Sequence, residues 1–183
     1  KKPWLDVSLK YIFGENGSGI EIKYLEDREY FRFLPRIGWQ MILPKKFKDL
    51  KYLAYGPSES YNDMSAYCHK AVFSASVADE YYHYIKPQEN GSHCGAEFAE
   101  ISDGEITVRA EGMRSFSALP YGADILSDTA HDDELPDQEN TYFCTDYYMS
   151  GLGSNSCGPE LEEKYRVPLA GNGRITFFWK KNH

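Results

Sequence analysis

The chain has 183 residues, 42% of them hydrophobic and 26% charged, a composition typical of one globular domain. Its net charge is −8 and its one basic cluster is KKFK at residues 45–48, which argues against nucleic acid and anionic membranes as partners. No apolar run is long enough to span a bilayer, and the first ten residues turn polar too early for a secretory signal. A neutral polyol such as a sugar is compatible with this charge, and the 15 Tyr, 10 Phe and 3 Trp suit either sugar stacking or a β core.

Alternating apolar residues predict an opening β-hairpin. Every second residue from Val7 to Phe13 is apolar, and the same period returns at residues 20–24. Residues 15–19 (ENGSG) between them tolerate a positive φ and predict the turn. Residues 37–43 and residues 52–55 then predict a third and a fourth strand, each followed by a proline or glycine signal.

Two further hairpins are predicted in the second half of the chain. Residues 106–110 alternate and can pair with residues 116–119 across a glycine turn. Val167 and Leu169 lead into AGNG at residues 170–173, after which Ile175, Phe177 and Trp179 share one face. This last pattern predicts a closing hairpin.

Only residues 122–131 (GADILSDTAH) predict a helix, of two or three turns. With ten or so strands and long connections rich in Gly, Asn and Pro, the sequence predicts an all-β fold, an antiparallel β-sandwich with one short helix. Neither a repeat nor a linker divides the chain, so residues 1–183 are expected to form a single domain or part of one.

Candidate acid–base residues are plentiful, but the sequence alone does not bring two of them together. A glycosidase needs a pair of carboxylates flanking its substrate. HDDEL at residues 131–135 could form a proton relay, although such a run after a helix is more typical of a solvated connection. The candidate carboxylates are Glu59, Asp63, Glu80, Glu89, Asp132, Asp133, Glu134 and Glu160.

The four cysteines, Cys68, Cys94, Cys144 and Cys157, contain no CxxC pair and do not predict a metal site. Their even number permits disulfides, but a chain of this size does not need them, so reduced thiols are the favoured interpretation. Cys157 lies in a loop of small residues with no histidine within twenty positions, which disfavours a thiol nucleophile.

Three motif segments together identify a family. They are LAYGPSESYND (residues 53–63), YYHYIKPQENGSHCG (residues 81–95) and YYMSGLGSNSCGPEL (residues 147–161), followed by a last strand that contains a tryptophan. In this order and at these separations, they resemble the C-terminal "small chain" domain of large, lacZ-like bacterial β-galactosidases of glycoside hydrolase family two. The resemblance covers roughly residues 35–181.

The resemblance implies a supersandwich related in fold to galactose mutarotases. It also implies that the chain is the later part of that domain, taken from a much longer parent that hydrolyses terminal β-D-galactosides such as lactose. In this family a retaining mechanism uses two glutamates of a (β/α)₈ barrel, so the fragment alone is expected to be inactive and to need no cofactor. The resemblance assigns any Mg and Na that the parent family uses to its other domains. The implied partners are the barrel and other domains, the galactoside and further copies in a homo-oligomer. The compartment, cytoplasmic or periplasmic, stays open, with the cytoplasm preferred.

The resemblance also implies site residues. Relatives carry a loop with a sugar-stacking tryptophan where this chain has residues 151–159, and Cys157, with Ser154, Asn155 and Ser156, occupies the matching rim. A thiol offers no π face, so stacking cannot come from Cys157. The residues expected to brace the loops are Glu59, Tyr61, Glu89, Asn90 and His93.

The chain departs from the family pattern at two positions. Met64 replaces an arginine after the first segment, and His93 replaces one in the second segment, where it can still form hydrogen bonds. Two other functions stay open at this point: a free-standing carbohydrate-binding module, because of the aromatic content, and a mutarotase, because of the fold kinship.

Overall fold

The computed structural model describes residues 5–15, 17–25, 32–153 and 158–182. Strands dominate these residues, together with one α-helix and two short 3₁₀ helices. The strands are β1 (Asp6–Gly14), β2 (Gly17–Leu25), β3 (Arg36–Pro44), β4 (Asp49–Gly56), β5 (His69–Ser76), β6 (His93–Cys94), β7 (Phe98–Ser102), β8 (Ile106–Glu111), β9 (Ser115–Leu119), β10 (Asn140–Met149) and β11 (Ala170–Lys181). The α-helix is α1 (Ala123–Asp128), and the 3₁₀ helices are Asp132–Glu134 and Glu163–Tyr165.

The strands form two antiparallel sheets, which confirms the predicted all-β sandwich. The larger sheet has seven strands in the order β1-β2-β11-β8-β7-β4-β5, and the smaller has four in the order β3-β10-β9-β6. The core between them contains fully buried side chains from both sheets, among them Ile101 and Ile175 of the larger and Phe116 and Phe143 of the smaller. Burial of such apolar surface is the main term that stabilises the fold.

The opening hairpin is confirmed, and its two strands differ in burial. Val7 pairs with Tyr24 and Tyr11 pairs with Ile20, so their side chains lie on the same face of the sheet. Tyr24 and Ile20 are buried, whereas the alternate residues of β1 are exposed, with Phe13 83% exposed. A four-stranded sheet is too narrow to cover all seven strands of its partner, and the outermost strand β1 is left partly uncovered.

The predicted pairing of residues 106–110 with residues 116–119 is wrong. These residues form β8 and β9, which belong to different sheets. Gly112 between them has φ of +89°, and the following Met113 is buried in the core. The turn therefore carries the chain across the sandwich. All five residues of β9 are buried, because loops cover its second face.

The predicted closing hairpin is also wrong, because β11 runs unbroken through residues 170–173. It pairs with β2 on one side and β8 on the other. A Cβ on Gly173 would lie 2.2 Å from the Tyr147 ring, and one on Gly171 would lie 2.7 Å from the Tyr24 hydroxyl. These glycines admit aromatic rings against the strand and do not form a turn.

The remaining differences concern element ends and strands that the sequence pattern did not predict. The helix is shorter than the predicted residues 122–131, since Thr129 ends it in an extended conformation. The alternation did not reveal β5, β7 or β10. In β10 burial alternates up to Thr145, but three consecutive residues, Thr145, Asp146 and Tyr147, are buried where the pairing with β3 shifts register, and this interrupts the period of two. No helix among the described residues is long and apolar enough to cross a membrane.

Gly173→Ala tests the unbroken strand β11. The Tyr147 hydroxyl donates to the carbonyl of Ile20 at 2.6 Å, which fixes the ring beside Gly173. The added methyl group should lower the free energy of unfolding by about 1–3 kcal/mol through overpacking. Urea denaturation measures the change.

The matched control is Gly14→Ala, where a Cβ would lie at an ordinary 3.7 Å from its nearest neighbour, the carbonyl oxygen of Gly17. Its effect should be clearly smaller. Equal effects at the two glycines would contradict the close approach of the Tyr147 ring.

Candidate functional site

The three motif segments, far apart in sequence, lie side by side in the fold. The backbone N–H of Ser60 in the first segment donates to the carbonyl of Ser92 in the second at 2.6 Å. The Asp63 carboxylate accepts from the backbone N–H of Leu152 at 3.0 Å and from that of Gly153 at 2.8 Å, both in the third segment. We take this junction as the candidate functional site.

Asp63 fixes the beginning of the loop at residues 151–159. Gly151 packs directly on its carboxylate, because a Cβ there would lie 2.4 Å from the carboxyl carbon. The backbone N–H of Gly151 donates to the carbonyl of Tyr165 at 3.0 Å, and the Asn62 side chain donates to the carbonyl of Met149 at 2.7 Å. The backbone of residues 149–153 is therefore held on two sides.

A groove of about 420 Å³ lies beside this held backbone, lined in part by Met64, Leu152 and Tyr165. Beyond the loop, Arg166 donates to the carbonyl of Leu161 at 2.7 Å and anchors the chain again. The expected rim residues Ser154, Asn155, Ser156 and Cys157 lie outside the described residues.

Glu59 links the first segment to the second. Its carboxylate accepts from the Tyr84 hydroxyl at 2.5 Å and from the backbone N–H of Gly91 at 2.8 Å, and the Tyr61 hydroxyl lies at 3.5 Å. The hydrogen bond to Glu59, together with burial, raises the pKa of Tyr84. Tyr84 therefore stays protonated and donates to Glu59.

Asn90 and Tyr61 are the most deeply buried of the predicted bracing residues on the loops. Asn90 is fully buried; its Oδ1 accepts from the backbone N–H of Tyr82 at 3.2 Å and its Nδ2 donates to the carbonyl of Gln88 at 2.8 Å. The backbone of Tyr61 exchanges two hydrogen bonds with Met64 at 2.9 and 3.0 Å. Side-chain amides that bond nearby backbone groups favour turns of this kind.

Glu89 belongs to a partly buried ion cluster centred on Arg36. One guanidinium nitrogen of Arg36 lies 3.2 Å from Glu89, and another lies 3.0 Å from Asp146 of β10. Burial raises the pKa of both carboxyl groups, against the lowering effect of Arg36. The two carboxylates in turn outweigh the effect of burial on Arg36 and raise its pKa. The cluster ties the second motif segment to the smaller sheet.

His93 is a core residue with no exposed surface. Its Nδ1 lies 3.0 Å from the carbonyl of Tyr55, and its Nε2 lies 2.6 Å from Glu80. A carbonyl can only accept, so Nδ1 carries a proton, and a second proton lies between Nε2 and the Glu80 carboxyl. The imidazole also stacks on Phe116 with ring centroids 5.2 Å apart. Because it is enclosed, His93 cannot touch a substrate.

The acidic run at residues 131–135 does not form a proton relay among the described residues, because its one carboxylate on His131, that of Glu134, accepts from the His131 backbone N–H at 3.2 Å as part of a capping box. Asp132 instead accepts from the Tyr81 hydroxyl at 2.8 Å and pairs with His83 Nδ1 at 2.7 Å. Hydrogen bonds from His83 and Tyr81 lower the pKa of Asp132. Asp133 and Glu134 are exposed, as expected for a solvated connection.

Cys68, Cys94 and Cys144 are free thiols, and Cys157 lies outside the described residues. Within the described ranges, no three His, Cys, Asp or Glu side chains are grouped so that they could hold a metal ion.

Sequence reasoning did not single out Arg36, Tyr84 or Asp146. Asp146 gave one usable signal, since an acid inside a strand-forming run of aromatic and β-branched residues requires a buried partner. Its partner Arg36 lies 110 positions away, and no local pattern connects the two.

Asp63→Ala tests how the loop is held. Without the carboxylate, the amides of Leu152 and Gly153 lose their acceptors, and hydrogen exchange at both should accelerate at least about tenfold. Asp63→Asn keeps one acceptor oxygen and should release only one of the two amides. Asp128→Ala, at an exposed acid of α1, should change neither. Unchanged exchange in Asp63→Ala would show that the carboxylate does not hold this backbone.

Glu89→Gln tests the ion cluster through pH. Because burial raises the pKa of Glu89, the folded chain keeps a proton there at pH values where the unfolded chain, with a glutamate pKa of about 4.3, has lost it. Glu89 therefore favours folding below that pH and disfavours it increasingly as pH rises towards the folded-state pKa. Relative to wild type, the free energy of unfolding of the variant should rise as the pH increases from about 4.3 towards the raised folded-state pKa. A difference that is constant in urea titrations over this range would contradict the raised pKa.

The sequence comparisons agree with these observations. The family model described as "Beta galactosidase small chain" matches residues 1–179. The β-galactosidase of Staphylococcus xylosus is 42% identical over 137 residues, which cover 74% of this chain and 14% of that protein. The β-galactosidase of Actinobacillus pleuropneumoniae is 35% identical over 164 residues, which cover 89% of this chain and 16% of that protein.

The chain thus spans about one seventh of the length of these curated relatives. The family model covers nearly the whole chain, and its motif segments meet at one junction in the fold. The chain belongs to the β-galactosidase small-chain family.

Proposed function

We propose that this chain is an accessory domain of a β-galactosidase that hydrolyses terminal β-D-galactosides, such as lactose, by a retaining mechanism. The observation that carries the proposal is the pair of hydrogen bonds from the backbone N–H groups of Leu152 and Gly153 to the Asp63 carboxylate. These two hydrogen bonds fix the beginning of the loop at residues 151–159. A loop fixed in this way can form part of the rim of a neighbouring active site.

The carboxylates of the junction support a bracing role. The Glu59 carboxylate accepts hydrogen bonds from the Tyr84 hydroxyl and the Gly91 backbone N–H, and the Glu89 carboxylate forms an ion pair with Arg36. A retaining glycosidase needs two carboxyl groups about 5 Å apart that face the substrate, one as nucleophile and one as acid–base. Carboxylates whose oxygens already accept protein hydrogen bonds are poorly suited to either task. In this proposal the catalytic pair comes from a barrel elsewhere in the parent polypeptide.

The partners follow from that assignment. The chain would pack on the barrel and other domains of the parent, contact the galactoside through the rim loop and, in the complete enzyme, form part of a homo-oligomer. The relatives are several times longer than this chain, which leaves ample polypeptide for those domains.

Comparing the chain alone with the complete polypeptide that carries it tests this function. The complete polypeptide should hydrolyse nitrophenyl β-galactoside with retention of the anomeric configuration, and the chain alone should give no turnover. Hydrolysis by the chain alone, independent of preparation, would overturn the accessory role. Polarimetry of fresh α-galactose would detect mutarotase activity. Calorimetry with galactose would detect binding by a free-standing module.

Asp63→Ala in the complete polypeptide tests the part played by the loop. A less firmly held rim loop should raise KM several-fold, which corresponds to a loss of about 1 kcal/mol of substrate-binding free energy, and should change kcat less. Asp128→Ala is the control and should leave both constants near wild type. A wild-type KM in Asp63→Ala would mean that the loop does not reach the substrate.

A further inference from the structure

A second concave surface, which we call the tyrosine cleft, opens between the loops at residues 57–67 and 79–84. Its volume is about 660 Å³, within the range typical of small-molecule sites. It lies at the β4–β5 edge of the larger sheet, and Tyr52 and Phe73 from those strands line it. Four tyrosines from the two loops complete the aromatic lining: Tyr67, Tyr81, Tyr82 and Tyr84.

Two aromatic rings on the cleft are largely exposed. Tyr67 and Tyr82 are each 59% exposed, and Tyr82 packs beside Tyr84 with ring centroids 4.5 Å apart. Two of the hydroxyls are tied to the protein, since Tyr67 donates to the carbonyl of Glu59 at 2.6 Å and Tyr84 donates to its carboxylate at 2.5 Å. The exposed ring of Tyr67 is thus fixed through its hydroxyl, and the exposed ring of Tyr82 packs on the fixed ring of Tyr84, so both can offer a preorganised stacking surface.

The charge of the lining selects among ligands. Glu59, Asp79 and Glu80 line the cleft, and no Lys, Arg or His is among its lining residues within the described ranges. An anionic ligand would be repelled. The exposed hydroxyls of Ser58 and Ser74 and the exposed carboxylate of Asp79 can exchange hydrogen bonds with hydroxyl groups. Aromatic faces combined with such polar groups match a neutral sugar, which has apolar ring faces and hydroxyl edges.

The cleft adjoins the junction where the rim loop begins. Met64 lines both the tyrosine cleft and the groove beside Leu152 and Gly153. A saccharide whose terminal galactose lay beyond the rim loop could therefore continue along the groove into the cleft.

We propose that the tyrosine cleft binds the neutral oligosaccharide portion of longer galactosides, beyond the terminal galactose. This inference rests on the proposed function, because that function places the terminal galactose near the rim loop. The cleft then favours galactosylated oligosaccharides over short galactosides.

Tyr82→Ala in the complete polypeptide tests the cleft. No hydrogen bond of the Tyr82 hydroxyl is present among the described residues, so the substitution removes a ring face and its packing on Tyr84 but no hydrogen bond of the bracing network. Loss of one stacking surface should lower kcat/KM for a neutral galactosyl tetrasaccharide roughly tenfold. The value of kcat/KM for nitrophenyl β-galactoside should stay within about twofold of wild type. Tyr82→Phe keeps the ring and should restore the tetrasaccharide rate. Val72→Ala, at an exposed site on β5, should affect neither substrate.

Calorimetry on the same polypeptide gives an independent readout. The neutral tetrasaccharide should bind, with Tyr82→Ala weakening its affinity roughly tenfold, whereas a galacturonate oligomer of equal length should not bind at the cleft. Choline tests whether the acidic aromatic lining selects organic cations.

The outcomes separate the two hypotheses. Equal losses on both substrates, no loss, or tighter binding of galacturonate or choline than of the tetrasaccharide would overturn the cleft assignment. A wild-type polypeptide that hydrolyses no galactoside would overturn the proposed function, and the calorimetric result would still decide the cleft.

Discussion

The Arg36 ion cluster is the constraint on which the arrangement of the site depends. Arg36 begins β3, Asp146 lies in β10, and Glu89 belongs to the second motif segment. Removing charged groups from water costs desolvation free energy, and burial accordingly raises the pKa of both carboxyl groups of this partly buried cluster. The contribution of the cluster is therefore to position the chain: it fixes the loop that carries Glu89 against the edge of the smaller sheet. Removing a single partner would leave an uncompensated charge. The hydrogen bond from the Ser60 backbone N–H to the Ser92 carbonyl joins the second motif segment, which carries Glu89, to the first motif segment.

The junction is built in two levels. Buried groups such as Asn90 and the His93–Glu80 pair set the backbone of the loops, and more exposed groups such as Asp63 and Glu59 then present the neighbouring segments. Enzymes commonly rely on such supporting contacts, because a displacement of about 1 Å at a binding loop can cost a hundredfold in rate. Under the proposed function, such supporting contacts are how an accessory domain would influence a neighbouring active site.

The sequence predicted strands where apolar residues alternate in the sequence and the following turn is chemically distinct. The hairpin of β1 and β2 met both conditions. The prediction failed at Gly171 and Gly173, because a glycine that admits an aromatic ring looks the same in sequence as one that makes a turn. It failed again at β8 and β9, because nothing local shows that Met113 enters the core and sends the chain to the other sheet.

For the site, the family motifs supplied Glu59, Asn90 and His93 as candidates, and the structure gave their contacts. The partners could not be predicted in the same way. Arg36 and Asp146 meet through strand pairing between β3 and β10, so their contact is a property of the sheet register and of no short sequence pattern. The tyrosine cleft was equally hidden, because aromatic residues at residues 67–84 are also typical of a β core.

The uncovered face of β1 has a consequence for how the chain behaves outside its parent. Val7, Leu9, Tyr11 and Phe13 are exposed along an outermost strand, and within the described residues β1 pairs only with β2. An edge that combines free backbone hydrogen-bonding groups with an apolar stripe is a template for pairing between molecules. Self-association through β1 is therefore a hazard when the chain is expressed by itself, and Leu9→Lys would be a direct way to suppress it.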